Sequence, residues 1–210
     1  RSPPMYRVYG DLKSGNCYKV KLLLAYLGLP HEWVHVDSVK GETRTAEFLE
    51  KNPNGKIPVL ELPSGECLPE SNAILYYLAE GTRYWPTERL ARARVLQWQN
   101  FEQYSHEPYI AVARFIVKFL GMPEARRAEL EAKGAGGYRA LGVMERHLQA
   151  NRYFVGTTPT IADISLYAYT HVAHEGGFSL EGFPAVRGWL AAVASEPGHV
   201  AMPRDLGVAC

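Results

Sequence analysis

Strand-forming and helix-forming patterns are distributed unequally along this chain, and that distribution limits the folds open to it. Short segments rich in β-favouring residues are concentrated before Gly81, at residues 5–9, 32–36, 59–62 and 66–68. Helical patterns alternate with them, which gives the order β-α-β-α-β-β-α. The first half of that order can form a right-handed parallel βαβ unit, and the second half can form a hairpin backed by a helix.

Helical periodicity dominates the rest of the chain, over residues 89–120, 124–150, 161–169 and 183–193. The first of these patterns contains Pro108, which should bend or break the helix because proline has no N–H to donate. The second contains several glycines near its middle, which should weaken it. The third is apolar on nearly all sides, so we expect it to be buried. The sequence therefore predicts an α/β domain over residues 5–82, followed by an all-helical domain over residues 89–205.

Charge and cysteine content exclude several classes of protein. The net charge is +1, from 23 basic and 22 acidic side chains, so no overall field attracts nucleic acid or an acidic membrane surface. No apolar run approaches the roughly 18 residues of a membrane span, and Arg1–Pro4 lack the apolar segment of a signal peptide. We expect Met5 to be the natural start. The three cysteines, Cys17, Cys67 and Cys210, are widely spaced, so they predict neither a disulfide framework nor a metal site. They favour a protein of the reducing cytoplasm.

Three local patterns carry a resemblance to a known family. They are Ser14-Gly15-Asn16-Cys17, then Gly55-Lys56-Ile57-Pro58-Val59-Leu60 followed by Glu70-Ser71, and finally Thr160-Ile161-Ala162-Asp163. Each pattern alone is common, but together, in this order and spacing, they resemble the cytosolic glutathione transferases, and specifically the bacterial serine-type classes similar to theta or nu. The resemblance implies an N-terminal thioredoxin-like βαβαββα domain and a C-terminal all-helical domain. It implies glutathione as co-substrate and no other cofactor.

The resemblance implies a glutathione site in the first domain. A cis peptide bond is expected between Ile57 and Pro58, so that the main chain of Ile57 pairs with the cysteinyl unit of glutathione. Lys56 belongs to the same motif and is assigned to the same site. Ser71 stands where a helix begins and can bind the γ-glutamyl carboxylate, while Glu70 can pair with the ammonium group. The alternative is that Ser71 is only a helix cap and Glu70 a solvated charge.

The resemblance also implies that Ser14 stabilises the glutathione thiolate. A free thiol has a pKa of about 8.5, and useful ionisation at neutral pH requires a decrease of roughly 2 units, or about 2.7 kcal/mol. One hydrogen bond to a charged acceptor contributes about 1.5–3 kcal/mol, and a helix N-terminus adds to it. Ser14 would donate that bond. Asn16 is the main competitor for the role, and Tyr6 or Tyr9 could take the role that tyrosine has in other classes.

Other residues have alternative interpretations. Ser14 replaces the first cysteine of a Cys-x-x-Cys motif, which leaves Cys17 either as a small buried residue or as a partner in a mixed disulfide. The family forms its second-substrate site from the first long helices of the C-terminal domain, where Tyr109 and Arg114 are our candidates; both could instead be core residues. Thr160 and Asp163 fit a capping pair at a helix start.

The leading functional hypothesis is a detoxification enzyme that conjugates glutathione to small hydrophobic electrophiles. The first alternative is a glutathione-dependent disulfide or peroxide reductase on the same fold, and the second is a non-catalytic glutathione-binding module of the stress response. The resemblance implies a homodimer, and we expect no nucleic acid, membrane or metal partner.

Overall fold

The computed structural model describes residues 5–203, so the prediction about Arg1–Pro4 and the position of Cys210 lie outside the described residues. The chain divides into two units. The described part of the first comprises residues 5–78 and 197–203, and the second comprises residues 79–196. No helix among the described residues has the length and apolar character that crossing a membrane requires.

The first unit is built on a four-stranded sheet of order β2-β1-β3-β4. Its strands are β1 (Tyr6–Gly10), β2 (His31–His35), β3 (Val59–Glu61) and β4 (Cys67–Pro69). β1 and β2 are parallel, whereas β3 is antiparallel to both β1 and β4. Three helices complete the unit: α1 (Gly15–Leu27), α2 (Ala46–Lys51) and α3 (Ser71–Ala79). The predicted order β-α-β-α-β-β-α is therefore confirmed, and it is that of a thioredoxin-like domain.

Helix α1 connects β1 to β2 in the parallel βαβ unit. It begins after Ser14, whose side chain caps the first turn, and it ends at Gly28, which has a φ of 61°. Glycine takes that left-handed conformation at little cost, so Gly28 stops the helix as predicted. The unit's core joins α1 to the sheet through side chains that have no exposed surface: Val8, Leu22, Leu23, Leu24 and Leu60.

The second unit is helical, as predicted. Its helices are α4 (Arg89–Phe101), α5 (Glu107–Arg114), α6 (Arg127–Leu148), α7 (Ile161–Thr170) and α8 (Pro184–Ala194). π-helical segments at Glu102–His106 and Phe115–Phe119 follow α4 and α5, and single 3₁₀ turns occur at Glu42–Arg44, Glu124–Arg126 and Ala173–Gly176. Every residue of α7 is buried, which confirms the prediction from its apolar sequence.

Pro108 neither breaks the helix nor leaves it regular. The helical path continues from α4 into α5, and the turn before Pro108 widens, with the N–H of Glu107 donating to the carbonyl of Glu102. The wider turn accommodates a residue that has no N–H and whose ring would crowd the preceding turn. The sequence therefore predicted an irregularity in the helix at Pro108, but it did not predict a π-helical turn.

The glycines of α6 do not interrupt that helix. A Cβ atom at Gly136 would lie 2.1 Å from the ring of Tyr109, and one at Gly137 would lie 2.3 Å from the ring of Phe178. Glycine costs roughly 1 kcal/mol in a helix interior, but here it lets two aromatic rings pack directly against the helix backbone. Packing offsets the low helix propensity that led us to expect a weak middle.

The range 89–205 predicted for the all-helical domain includes a segment that follows its last helix. Residues 197–203 belong to the first unit, where they pack on α1. The hydroxyl of Tyr18 donates to the carbonyl of Val200 at 2.6 Å, and the hydroxyl of Tyr26 bonds Nδ1 of His199 at 2.9 Å. Pro197-Gly198 correctly indicated the end of a helix. Helical periodicity does not show which element the segment after that helix will pack against.

Asp163 connects three parts of the second unit. One carboxylate oxygen accepts from the N–H of Thr160 at 2.9 Å, and the other accepts from the N–H of Phe154 at 3.1 Å and from Nε1–H of Trp189 at 2.9 Å. The capping pair is confirmed, and Trp189 is a core residue with 3% of its surface exposed. The carboxylate also links the start of α7 to α8 and to the preceding loop.

We predict that Asp163→Asn destabilises the protein by about 2 kcal/mol or more, because an amide NH₂ then faces a donor and leaves a buried group unsatisfied. Urea unfolding followed by circular dichroism measures the change. Glu131→Gln, an exposed change on α6, is the matched control and should cost less than about 0.5 kcal/mol. A change in Asp163→Asn no larger than that of the control would contradict the structural role.

Wild type and Asp163→Asn together also test the protonation of Asp163. Burial raises the pKa of its carboxyl from 3.8 to about 6, against the effect of its hydrogen bonds. The native state therefore takes up a proton that the unfolded state takes up only at lower pH. The stability of wild type relative to Asp163→Asn should increase by about 1 kcal/mol as the pH falls from about 7.5 to about 5. A difference that is constant or decreases over that range would show that the pKa is not raised.

Candidate functional site

The sheet brings the predicted glutathione-binding segments to one end of the first unit. Because β3 is antiparallel to β1 and to β4, Tyr9 lies opposite Val59, and Val59 lies opposite Pro69. The end of β1, the start of β3 and the end of β4 therefore coincide. The segments attached at that end contain the residues selected from the sequence: Ser14, Asn16, Lys56, Ile57, Pro58, Glu70 and Ser71.

Ser14 is the cap of α1. It has extended backbone angles, its N–H donates to the carbonyl of Asp11 at 2.9 Å, and its hydroxyl accepts from the N–H of Cys17 at 3.5 Å. A hydroxyl that accepts one bond still has its hydrogen to donate to a second partner. Ser14 is only partly buried, so its hydroxyl lies beside the partial positive charge of a helix N-terminus, with the thiol of Cys17 as a further hydrogen-bonding neighbour.

Asn16 and Ser71 connect the starts of two helices. The hydroxyl of Ser71, the first residue of α3, donates to Oδ1 of Asn16 in the first turn of α1 at 3.3 Å. Ser71 is 6% exposed, whereas Asn16 is partly exposed. The contact places two helix N-termini side by side, and both favour negative charge through their unpaired N–H groups.

The segment before β3 is held by a residue that the sequence analysis did not select. Asn52 is buried, its Nδ2 donates to the carbonyl of Lys56 at 2.7 Å, and its Oδ1 accepts from the N–H of Asn54 at 3.1 Å. The Ile57–Pro58 bond is cis, as predicted. Asn52 therefore fixes the loop leading to that bond, and the turn-forming run Asn-Pro-Asn-Gly was the available signal. The side chain of Lys56 is exposed, and that of Ile57 is partly buried.

Glu70 has an unusual backbone conformation. Its φ is 71°, and within residues 5–203 the other non-glycine residue with positive φ is Met122. This region is uncommon for a residue with a Cβ atom, and such conformations are concentrated at binding and active sites. The carbonyl of Glu70 accepts from the N–H of Ile74, so Glu70 directly precedes the first turn of α3. Its side chain is exposed beside Ser71.

The geometry does not support Tyr9 in the tyrosine alternative. The hydroxyl of Tyr9 donates to Oε2 of Glu61 at 2.6 Å, and burial together with that carboxylate raises the pKa of the phenol. Burial and the neighbouring Tyr77 also raise the pKa of Tyr6. A phenol that is hydrogen-bonded to a carboxylate is not available to donate to a thiolate.

Cys17 has the surroundings of a structural residue. Its side chain has no exposed surface, and burial raises the pKa of the thiol to about 12. Its Sγ lies 2.7 Å from the place that a Cβ atom on Gly10 would occupy, so the thiol fills the space left by that glycine. Cys67 is free and partly exposed. Over residues 5–203, no group of three or more His, Cys, Asp or Glu side chains is placed to hold a metal ion.

The two second-substrate candidates in the helical unit have different surroundings. Arg114 is 2% exposed, and its Nε donates to Glu175 at 2.5 Å, which also accepts from Lys118 at 2.6 Å. The guanidinium therefore has a structural partner and little exposed surface, and the role of Arg114 at a second-substrate site stays a prediction. Tyr109 is partly exposed, with its ring packed against Gly136, and its role at a substrate site remains a prediction.

Comparison with known proteins agrees with this geometry. The family model described as the glutathione S-transferase N-terminal domain matches residues 4–80, and the model of the C-terminal domain of the same family matches residues 108–197. The first match includes all the predicted glutathione-binding residues. The second includes the capping pair of α7.

Related proteins extend the comparison. A glutathione S-transferase structure from Pseudomonas fluorescens Pf-5 has 58% sequence identity and a TM-score of 0.94, covering 95% of this chain and 100% of that one. A glutathione transferase structure from Burkholderia graminis, with two glutathione molecules bound per subunit, has 30% identity and a TM-score of 0.80, covering 93% of this chain and 86% of that one. Elongation factor 1-gamma 2 from Oryza sativa subsp. japonica is 31% identical over 87% of this chain, which spans 44% of that longer protein. The chain belongs to the glutathione S-transferase family.

Proposed function

We propose that this protein conjugates the thiolate of glutathione to small apolar electrophiles. The observation that carries the proposal is the coincidence, at one sheet end, of the Ser14 hydroxyl, the Ile57–Pro58 main chain and the paired starts of α1 and α3. A tripeptide thiol with an anionic end needs these elements together: a strand-like main chain to pair with, an anion site, and a donor for its sulfur.

The binding mode follows from complementary charges. The main chain of Ile57 pairs with the cysteinyl unit, and the γ-glutamyl carboxylate binds the Ser71 hydroxyl and the N-terminus of α3. The exposed carboxylate of Glu70 pairs with the γ-glutamyl ammonium group. The exposed ammonium of Lys56 is available for the glycyl carboxylate at the other end of the tripeptide.

Catalysis then depends on stabilising the thiolate and positioning the two reactants. The Ser14 hydroxyl donates to the sulfur, and the dipole of α1 adds to its effect. The thiol proton is released to solvent, the sulfur forms a bond to the electrophilic carbon, and the leaving group departs with its electron pair. Asn16 lies two residues after Ser14 and accepts a hydrogen bond from the Ser71 hydroxyl. It therefore orients Ser71 at the γ-glutamyl end of the site and assists catalysis from there.

A second candidate function is reduction of disulfides. The relative from Burkholderia graminis holds two glutathione molecules per subunit, and two thiols are what reduction of a disulfide consumes. One glutathione thiolate attacks the substrate disulfide and releases a thiol. The second attacks the mixed disulfide, which releases the other thiol and oxidised glutathione. This reaction needs no protein cysteine, in agreement with the burial of Cys17.

A paired assay decides between these functions. We expect turnover of a chloronitrobenzene-type electrophile with glutathione to exceed turnover of hydroxyethyl disulfide under the same conditions. The reverse order would favour the reductase. If neither substrate reacts while calorimetry shows that glutathione binds, the protein is a binding module, which is a role that the similarity to elongation factor 1-gamma leaves open.

We predict that Ser14→Ala lowers kcat by about tenfold or more, because one hydrogen bond to the thiolate is lost. The affinity for glutathione should change by less than about threefold, since the main-chain and carboxylate contacts remain. The ultraviolet absorbance of the bound thiolate, followed against pH, should show a raised thiol pKa. Asn16→Ala is compared directly, and Ser38→Ala, at an exposed turn, is the control. A kcat unchanged from that of the control would remove Ser14 from the mechanism.

We predict that Cys17 resists alkylation in the folded protein. At about pH 8, a thiol with a pKa of about 12 is ionised to about one part in ten thousand, and its sulfur is also enclosed. Peptide mass spectrometry after iodoacetamide treatment should show Cys67 labelled at least about a hundredfold faster than Cys17. In guanidinium chloride the two rates should converge. Equal rates in the native protein would restore the mixed-disulfide alternative.

We also propose that the protein is a homodimer of the reducing cytoplasm, the compartment in which glutathione is kept as a thiol. Apolar side chains are exposed on α3, at Tyr76 and Tyr77, and on α4, at Leu90 and Leu96. Such side chains in soluble proteins often mark association surfaces. Light scattering should give twice the chain mass, and Leu96→Glu should reduce it; a monomeric mass for the wild type would contradict the dimer.

A further inference from the structure

A row of charged side chains crosses three strands of the sheet, on the face against which α2 packs. Arg7 on β1 lies opposite Glu32 on β2 and opposite Glu61 on β3. Its guanidinium pairs with both carboxylates, at 2.7 Å with Glu32 and at 3.2 Å with Glu61. Because β2 is an edge strand and β3 an interior one, Glu32 lies at the border of the sheet and Glu61 lies within it.

Glu61 also connects the sheet to α2. One of its oxygens accepts from Arg7, and the other accepts from the hydroxyl of Tyr9 at 2.6 Å and lies 3.7 Å from Nζ of Lys51. The Lys51 ammonium lies over the ring of Tyr9, 4.9 Å from its centroid, which is within cation–π distance. The side chains of the Lys51–Glu61 pair are 23% and 19% exposed. Those of the pair between β1 and β2 are 43% and 48% exposed, so solvent screens that pair more strongly.

Helix α2 is too short to be held by its own hydrogen bonds. It has six residues, and isolated helices of that length are not stable in water. Its buried side chain is Phe48, which packs in a small core that includes Val59, and Ile57 packs against the same core. Lys51 is the last residue of α2. The apolar contact therefore holds the middle of the helix, and the pair with Glu61 holds its C-terminal end.

The C-terminal end of α2 leads directly into the loop of the candidate glutathione site. Asn52 follows Lys51, and its Nδ2 donates to the carbonyl of Lys56 at 2.7 Å, just before the cis peptide bond. A displacement of Lys51 would move Asn52 with it, since consecutive Cα atoms stay about 3.8 Å apart. The position of the main chain at Ile57 therefore depends on the carboxylate of Glu61.

We propose that Glu61 is a positioning residue for glutathione. Paired with Lys51, it holds the end of α2 and the loop that follows in the conformation that binds the cysteinyl unit, without touching glutathione itself. This role rests on the proposed function for its ligand, but the hold on the loop is measurable without any ligand. Loss of the pair lowers the affinity for glutathione and leaves the reactivity of the bound thiolate unchanged, since Ser14 lies on the separate connection between β1 and α1.

The first test separates binding from chemistry. Glu61→Gln removes the charge but keeps the size of the side chain and an acceptor oxygen for Tyr9. Calorimetry should show glutathione binding weakened by about three- to tenfold, while kcat at saturating glutathione changes by less than about twofold. Glu32→Gln is the matched control, because it removes the other carboxylate of Arg7 and leaves the pair at α2 intact. Equal glutathione affinities of these two variants would overturn the proposal.

A double variant tests whether Glu61 acts through Lys51. Lys51→Gln alone should weaken glutathione binding by a similar factor. Glu61→Gln/Lys51→Gln should bind within about twofold of the weaker single variant, because one and the same pair is broken in all three proteins. Effects that multiply would show that the two residues act independently, which contradicts the proposed pair.

Hydrogen exchange without glutathione tests the hold on the loop directly. Peptides covering residues 52–57 should exchange at least about threefold faster in Glu61→Gln than in the wild type and in Glu32→Gln, while peptides from α1 exchange equally in all three. Unchanged exchange in the loop, or faster exchange everywhere, would overturn the positioning role. If the wild type binds no glutathione, the proposed function fails, and exchange in the loop still decides whether Glu61 holds it.

Discussion

The antiparallel pairing of β3 with β1 and β4 is the constraint on which the candidate glutathione site depends. Ser14, Pro58 and Ser71 are far apart in the sequence and belong to three connections, and only the strand register brings those connections to one sheet end. A shift of one residue would turn Leu60, which is fully buried, toward the opposite face. Burial of the core side chains of β3 fixes the strand register. The same register sets the distances between the residues of the candidate site.

The features that the sequence predicted well are those determined by local chemistry. Ser14 and Gly28 mark the two ends of α1 because a capping hydroxyl and a left-handed residue act over one turn. The pairing of Thr160 with Asp163 is local in the same sense. The cis bond at Pro58 was predictable only through the family resemblance, since proline alone favours the trans form.

The features that the sequence missed depend on contacts between distant segments. Nothing near Arg114 in the sequence indicates that it will pair with Glu175, which is 61 residues away. Helical periodicity also does not show whether a cationic side chain will be buried or exposed. Asn52 has the appearance of an ordinary turn residue, yet the turn it forms supports the loop before β3. The glycines of α6 lower local helix propensity, and only the rings packed against them explain why the helix is continuous.

The return of residues 197–203 to α1 affects how the protein is made. The first unit contains its sheet within its first 78 residues, but the carbonyl that Tyr18 binds belongs to Val200, which follows the whole helical unit. On the ribosome, the thioredoxin-like half must therefore wait with Tyr18 and Tyr26 uncovered while more than a hundred further residues are synthesised. The first unit therefore completes the packing around Tyr18 and Tyr26 only near the end of synthesis.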